Sequence, residues 1–217
     1  MPDLKTPATT ASAAQSGSVR KQRLARSRDA LLSSAIELFA QFGFEGTSMR
    51  AVATRAGVNH GMIRHIFGAK EELWQEAVAF LFERASSEME VVDSDKPPRA
   101  RFVDLIHTYV RYCARHPEHA RLMIQLSIVD GPELDWMSNT FIRDRHRHAV
   151  PLIEELKATG YLPQVETSSI LFSLVASCQM IFVLAPEVLK TTGRDMTDRD
   201  EIKKHADAVV AMFLLDP

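Results

Sequence analysis

Two cysteines, Cys113 and Cys178, are all that the 217 residues contain. They stand far apart, each inside an apolar helical pattern. That excludes a disulfide framework and a thiolate zinc site, and it makes a reducing compartment, the cytoplasm, the expected setting. Long apolar runs are also missing. The most apolar stretch, Ile170 to Ala185, is short for a membrane span and is broken by Ser173, Ser177 and Gln179, so it reads as a buried helix and no membrane partner is expected. The N-terminus lacks the apolar core of a signal peptide. No charge sign dominates either: the formal net charge is −2. G-x-S-x-G, a phosphate-binding loop and H-E-x-x-H are all absent, so neither an enzyme nor a cofactor is expected. No segment alternates convincingly enough to be a strand.

What is present is a soluble globular mix, 46% hydrophobic and 25% charged, arranged in helical periods. The charge is unevenly spread. From Arg20 to Lys70 there are nine Lys or Arg (20, 21, 23, 26, 28, 50, 55, 64, 70) against Asp29, Glu37 and Glu45, a net of +6, so the remainder sums to −8. A local cationic region on an acidic body points to nucleic acid better than the total does. Residues 1–19, rich in Ala, Ser and Thr, are expected to form a disordered arm. The basic cluster Arg20, Lys21 and Arg23 that follows either reaches along DNA or is a solvated tail, whereas Arg26 and Arg28 sit at the first helix.

Leu31, Leu32, Ala35, Ile36, Leu38 and Phe39 make one apolar stripe, ended by Gly43. Thr47 and Ser48 are N-cap candidates for a helix to about Ala56, Gly57 suits a left-handed turn, and Asn59 can cap a helix ending near Phe67. A long helix from Lys70 to about Val92 follows. Further helices are expected over 99–115, from Pro117, over 133–159 with a kink at Pro151, over 166–184 and over 198–214.

Two short helices about a glycine turn make a helix-turn-helix. Val52, Ala53, Ala56, Gly57, Val58, Ile63 and Ile66 fall where that unit needs small or apolar residues. The face left over carries Asn59, His60, Gly61, Met62, Arg64 and His65. Gly61 removes a side chain from the outer surface, at a cost of about 1 kcal/mol relative to Ala.

The stretch SAIELFAQFGFEGTSMRAVATRAGVNHGMIRHIFGAKEELW, residues 34–74, resembles the TetR/AcrR family of bacterial repressors. The resemblance rests on Ala35, Leu38, Phe39, Gly43, Thr47, Ala53, Ala56, Gly57, Val58, Gly61, Phe67, Lys70, Glu71 and Leu73. It implies an all-α fold: a three-helix helix-turn-helix DNA-binding domain over 20–69, then a helical effector-binding and dimerisation domain over 70–217. It further implies a homodimeric, ligand-responsive repressor on a palindromic double-stranded DNA operator. Carried across position by position, Thr47, Arg50 and Lys70 would hold phosphates, while Asn59, His60, Gly61, Met62, Arg64 and His65 would occupy the recognition helix. Three positions depart from the family: Arg64 replaces a Tyr, Ile66 a His or Tyr, and Asn59 a Ser. Arg64 either takes over a phosphate contact or reaches a guanine edge; Asn59 either caps or reads adenine. An activator of the same fold, or an all-α small-molecule-binding protein or enzyme, is the alternative.

The second domain offers no metal cluster: His116 and His119 flank Pro117, and His146 and His148 cannot share a helix face. A small organic effector is therefore expected, with Phe102, Ile106, His107, Tyr109, Cys113, Met123, Trp136, Phe141 and Gln179 as candidate pocket residues, each of which also suits plain core packing. The helix over 166–184 is apolar nearly all round and must be buried on more than one side. Packed with the helix over 198–214 against its twofold mate, it would complete a four-helix dimer interface.

Overall fold

The computed structural model describes residues 10–89 and 95–216, with side chains from residue 25 onward. Every regular element among them is helical. Residues divide into two units, Met1–Ala77 and Val78–Pro217.

The first unit opens with α1, Thr10–Gly46, in which Gly43 departs from helical geometry at φ 73°, ψ 176°. The stripe reaches the core as the sequence predicts: Leu31, Leu32, Ala35, Ile36 and Phe39 are all buried. The start differs. Residues 10–19, predicted to be a disordered arm, have helical backbone. Their Ala and Gln content suits a helix, and extending one already formed avoids the costly first turn. Residues 1–9 of that arm, and the side chains of Arg20, Lys21 and Arg23, lie outside the described residues. Next come α2, Met49–Arg55, α3, His60–Phe67, and α4, Lys70–Met89. The unit boundary falls inside α4 rather than before it at 69/70, and Leu73, Trp74 and Ala77 on its first turns are buried.

The second unit adds α5, Pro98–Arg115, α6, Pro117–Val129, and α7, Pro132–Met137. All three carry Pro in the first turn, where its missing N–H breaks no helix bond. A π-helical turn over Ser138–Ile142 leads into α8, Arg143–Ala158. The single helix predicted over 133–159 is thus interrupted at 138–142, and Pro151 stays within α8. The Thr140 hydroxyl donates to the Trp136 carbonyl at 2.7 Å, the kind of side-chain competition that loosens a helix. Then follow α9, Thr167–Val183, α10, Ala185–Thr192, and α11, Arg199–Phe213. The sequence treats the α10 stretch only as a separator, although Pro186 in its first turn and Gly193 after its end are ordinary helix punctuation. Phe102, Ile106, Val110, Leu156, Leu174, Cys178, Phe182 and Val209 form the core of this unit. No single helix among the described residues is long and apolar enough to cross a membrane.

Candidate nucleic-acid interface and ligand cavity

In the first unit α2 and α3 pack on one another about Gly57, whose φ of 66° suits a residue without Cβ. Ser48 caps α2, its hydroxyl accepting the Ala51 N–H at 3.1 Å. Asn59 caps α3, its Oδ1 accepting the Gly61 N–H at 2.7 Å. Val52, Ala53, Ile63 and Phe67 are buried. Anchored this way, α3 turns His60, Gly61, Met62, Arg64 and His65 to solvent, together with its cap Asn59.

Pairing sorts the cations. Arg55 donates to Glu37, with Nε 2.6 Å from Oε2, and Arg28 pairs with Glu76. Those charges belong to the fold. Arg50 and Arg64 are exposed and form no ion pair among the described residues. Lys70 Nζ stands 4.4 Å from the centroid of the Phe44 ring and 3.5 Å from the Glu45 carbonyl oxygen, with no carboxylate partner among the described residues. Phe44 is itself set edge-on to Trp74, with centroids 6.1 Å apart. A cation over an aromatic face stays available to an anion above it. Phe44 is a support that helical spacing gave no reason to single out.

Thr47 is set differently from these cations. It is buried, its hydroxyl donates to the Gly43 carbonyl at 2.9 Å and its N–H to the Phe44 carbonyl at 3.2 Å. Both donors are used in closing the turn after α1, so neither is left for a phosphate. Asn59 is engaged as a cap. Gly61 also has a local reason to lack a side chain: a Cβ there would stand 3.2 Å from Asn59 Oδ1.

In the second unit the nine predicted pocket residues separate. Phe102, Ile106 and Cys113 are core residues, with Tyr109 packed against the same cluster. Their apolar spacing is that of a helix facing a core, which a sequence cannot distinguish from one facing a ligand. The Tyr109 hydroxyl donates to Gln179 Oε1 at 3.3 Å, tying α5 to α9. Met123 is half-buried on α6. His107 faces Asp207, Nε2 to Oδ1 3.2 Å, and lines a cleft between α5 and α11. Trp136 and Phe141 do meet, edge to face with centroids 5.6 Å apart. Phe141 then stacks on Phe82 at 4.6 Å and an interplanar angle of 2°.

That stack borders a cavity of about 330 Å³ lined by Phe82, Ser86, Thr140, Phe141 and Arg145 among others. Arg145 lies over the Phe82 ring at 4.9 Å and donates to the Phe82 carbonyl at 2.8 Å and the Ser86 hydroxyl at 2.9 Å. His119 and Phe82 meet edge to face with centroids 5.2 Å apart, and the His119 Nδ1 is 2.6 Å from the Tyr112 hydroxyl oxygen. Burial, followed by the charges of Arg145 and Arg84, pushes His119 down to about 3, so it is neutral near pH 7. Burial also pushes the Tyr112 phenol up and the Cys178 thiol up to about 12, which makes Cys178 inert. Arg84 donates to Glu118 at 2.8 Å, and His116 Nδ1 lies 3.1 Å from the same carboxylate oxygen. Burial alone would raise Glu118, but the His116 bond, its backbone N–H and Arg84 together hold it below the usual range. The two histidines thus serve different partners, and no group of three metal-ligating side chains occurs among the described residues. Sequence reasoning missed Phe82, Arg84, Tyr112, Glu118 and Arg145 because their pairing runs between helices.

Residues 31–77 match the family model for bacterial regulatory proteins of the tetR family, and residues 79–216 that for the C-terminal region of YcdC-like proteins. Among curated proteins, the HTH-type transcriptional regulator RutR of Escherichia coli K12 is 25% identical over 183 residues, 84% of this chain and 85% of that one. The HTH-type transcriptional repressor NicS of Pseudomonas putida is 28% identical over 116 residues, 52% of this chain and 54% of that one. The fold is that of a solved putative fatty acid metabolism regulator from Clostridium perfringens, with a TM-score of 0.65 at 15% identity, covering 86% of this chain and 100% of that one. Two capped helices about a glycine turn, joined to a second helical unit and matched by these models and relatives, define a helix-turn-helix transcriptional regulator. The chain belongs to the TetR family of bacterial regulatory proteins, and its second unit is of the YcdC-like type.

Proposed function

We propose that the protein is a cytoplasmic repressor that binds a palindromic operator as a homodimer and is released by a small organic effector. One observation carries the DNA reading: among the described residues near α3, Arg28 and Arg55 are matched by carboxylates, whereas Arg50, Arg64 and Lys70 have no described carboxylate partner. Arg50 and Lys70 hold phosphates and set position. His60, Met62, Arg64 and His65 face the groove and supply sequence preference. The repressor sign follows NicS, whose name states it.

Dimerisation runs through α9 and α11. Phe172 on α9 is 60% exposed and Met212 on α11 is 64% exposed, an apolar surface that a single chain leaves to water. Two recognition helices on a twofold axis would then span roughly 34–36 Å, one turn of duplex. The effector enters the second unit beside Phe82 and Phe141. It releases DNA only if it favours a conformation that holds the recognition helices at another spacing. Helix α4 begins at Lys70 and ends in the second unit, so it is the segment through which that change passes.

The test is titration of the purified protein on the duplex upstream of its own gene at two salt concentrations, with and without Arg64→Ala. Binding that falls steeply with salt and is weakened by the substitution supports the reading. No binding there, followed by an empty genome-wide selection of bound fragments, overturns it.

A further inference from the structure

Apart from the Phe82–Phe141 cavity, α5 and α11 enclose a cleft of about 660 Å³. His107, Arg111 and Arg115 enter it from α5, and Arg199, Ile202, Lys203 and Ala206 from α11. The first set is spaced i, i+4, i+8 and the second i, i+3, i+4, i+7, so each is one face of its helix. Ile202 and the buried Ala206 make part of the lining apolar. Thr197 completes the lining, and four of the eight residues are Arg or Lys.

Their pairing is uneven. Arg115 is matched by Glu88, and Lys203 by Asp207 at 2.7 Å, the same carboxylate that His107 faces. Arg111 donates only to the Thr108 hydroxyl, at 3.0 Å, and neither it nor Arg199 has a carboxylate partner among the described residues. Two guanidinium groups without counter-charge therefore border one cleft. Guanidinium presents a planar fork of donors that fits carboxylate and phosphate oxygens in pairs. The volume lies within the range of small-molecule sites, and the apolar lining would be wasted on an inorganic ion.

We propose that this cleft binds a small organic anion, a carboxylate or phosphate ester with a compact apolar body, held by Arg111 and Arg199. The site goes beyond the effector cavity of the proposed function and stands without it. Dimerisation through the Met212 face of α11 leaves the cleft's cations clear of the contact: Arg199 and Lys203 lie about 140° and 180° round the helix from Met212.

Calorimetric titration of the full chain with phenyl phosphate, benzyl alcohol and inorganic phosphate tests this without any DNA, so its failure is separate from failure of the repressor reading. Phenyl phosphate is expected to bind once per chain, at least about tenfold tighter than benzyl alcohol, since a charge-assisted bond is worth about that factor, and tighter than inorganic phosphate through burial of its ring. Arg111→Gln and Arg199→Gln should each weaken it about tenfold with unchanged melting temperature. Arg199→Lys, which keeps the charge and loses the fork, should give a smaller loss. Phe141→Ala, in the other cavity, should leave binding unchanged. Absence of saturable binding, equal affinity for benzyl alcohol, or indifference to both Gln substitutions overturns the proposal.

Discussion

The Asn59 side-chain oxygen accepts the Gly61 N–H at 2.7 Å and also stands 3.2 Å from where a Cβ of residue 61 would lie. Cap and glycine are therefore one device at the start of the recognition helix. Asn59→Ala should destabilise the first unit by about 1 kcal/mol through loss of the cap. Alanine at 61 gains up to about 1 kcal/mol of helix propensity but pushes against the cap oxygen. Gly61→Ala is thus expected to stabilise more in the Asn59→Ala background than in the parent. Urea denaturation of the four proteins gives the answer, and equal increments in the two backgrounds would show that glycine and cap are independent.

Arg55 and Arg64 are both exposed arginines within or beside the helix-turn-helix, yet among the described residues only Arg55 of the two has an acid partner. Arg55→Gln breaks a half-exposed pair and should change stability by less than about 1 kcal/mol, with operator affinity nearly unchanged. Arg50→Ala and Lys70→Ala should weaken binding on all sequences alike, each lowering the salt slope by about one. His60→Ala should instead alter sequence preference. Binding isotherms on two operator variants at several salt concentrations separate these behaviours. A uniform loss for His60→Ala would remove it from the base-reading set.

The first unit was legible because its signals are local. Gly57, the cap at Asn59 and the spacing of Val52, Ala53 and Ile63, all buried, act within a few residues of one another and are reported directly by sequence periodicity, whereas Ala56, Val58 and Ile66 of the same predicted set are only half-buried. The phosphate role of Thr47 came only from the family resemblance, whereas its burial and its bond to the Gly43 carbonyl follow from how the chain closes after α1. In the second unit, helix positions were legible and partners were not. Phe102 and Phe141 share the same helical pattern, yet one fills the core and the other borders a cavity. The difference is set by which helix lies opposite, and that is decided by packing over the whole unit.

His119 gives the second unit a pH-dependent stability. Its folded value of about 3 is depressed below the ordinary histidine value of about 6.5 by burial and by Arg145 and Arg84. The unfolded chain then binds the proton first, so the stabilisation is fully present above about pH 6.5 and declines as pH falls towards 3. The slope approaches about 1.4 kcal/mol per pH unit per group. His205 is depressed by burial as well and adds with the same sign. His119→Gln is expected to keep a polar partner for Tyr112 while reducing the loss of stability between pH 7 and pH 5. Chemical denaturation at the two values measures it, and an unchanged difference in the variant would assign the effect elsewhere.

Phe172 and Met212 decide the assembly. Each exposes more than half its surface, and each lies on a helix that also carries core residues: Leu171, Leu174 and Cys178 on α9, Ala206 and Val209 on α11. A helix that buries one face and leaves a large apolar side chain on another needs a second partner to cover it. Phe172→Glu should place a charge at the twofold contact and weaken the dimer by at least about tenfold, since an uncompensated charge in an apolar contact costs more than the 1.4 kcal/mol that a factor of ten represents. The fold of the single chain should persist, because the residue is outside the core. Sedimentation velocity across a concentration series reads the association and circular dichroism reads the fold. A folded monomer that has also lost operator binding would tie dimerisation to DNA recognition, whereas an unchanged dimer would move the interface away from α9.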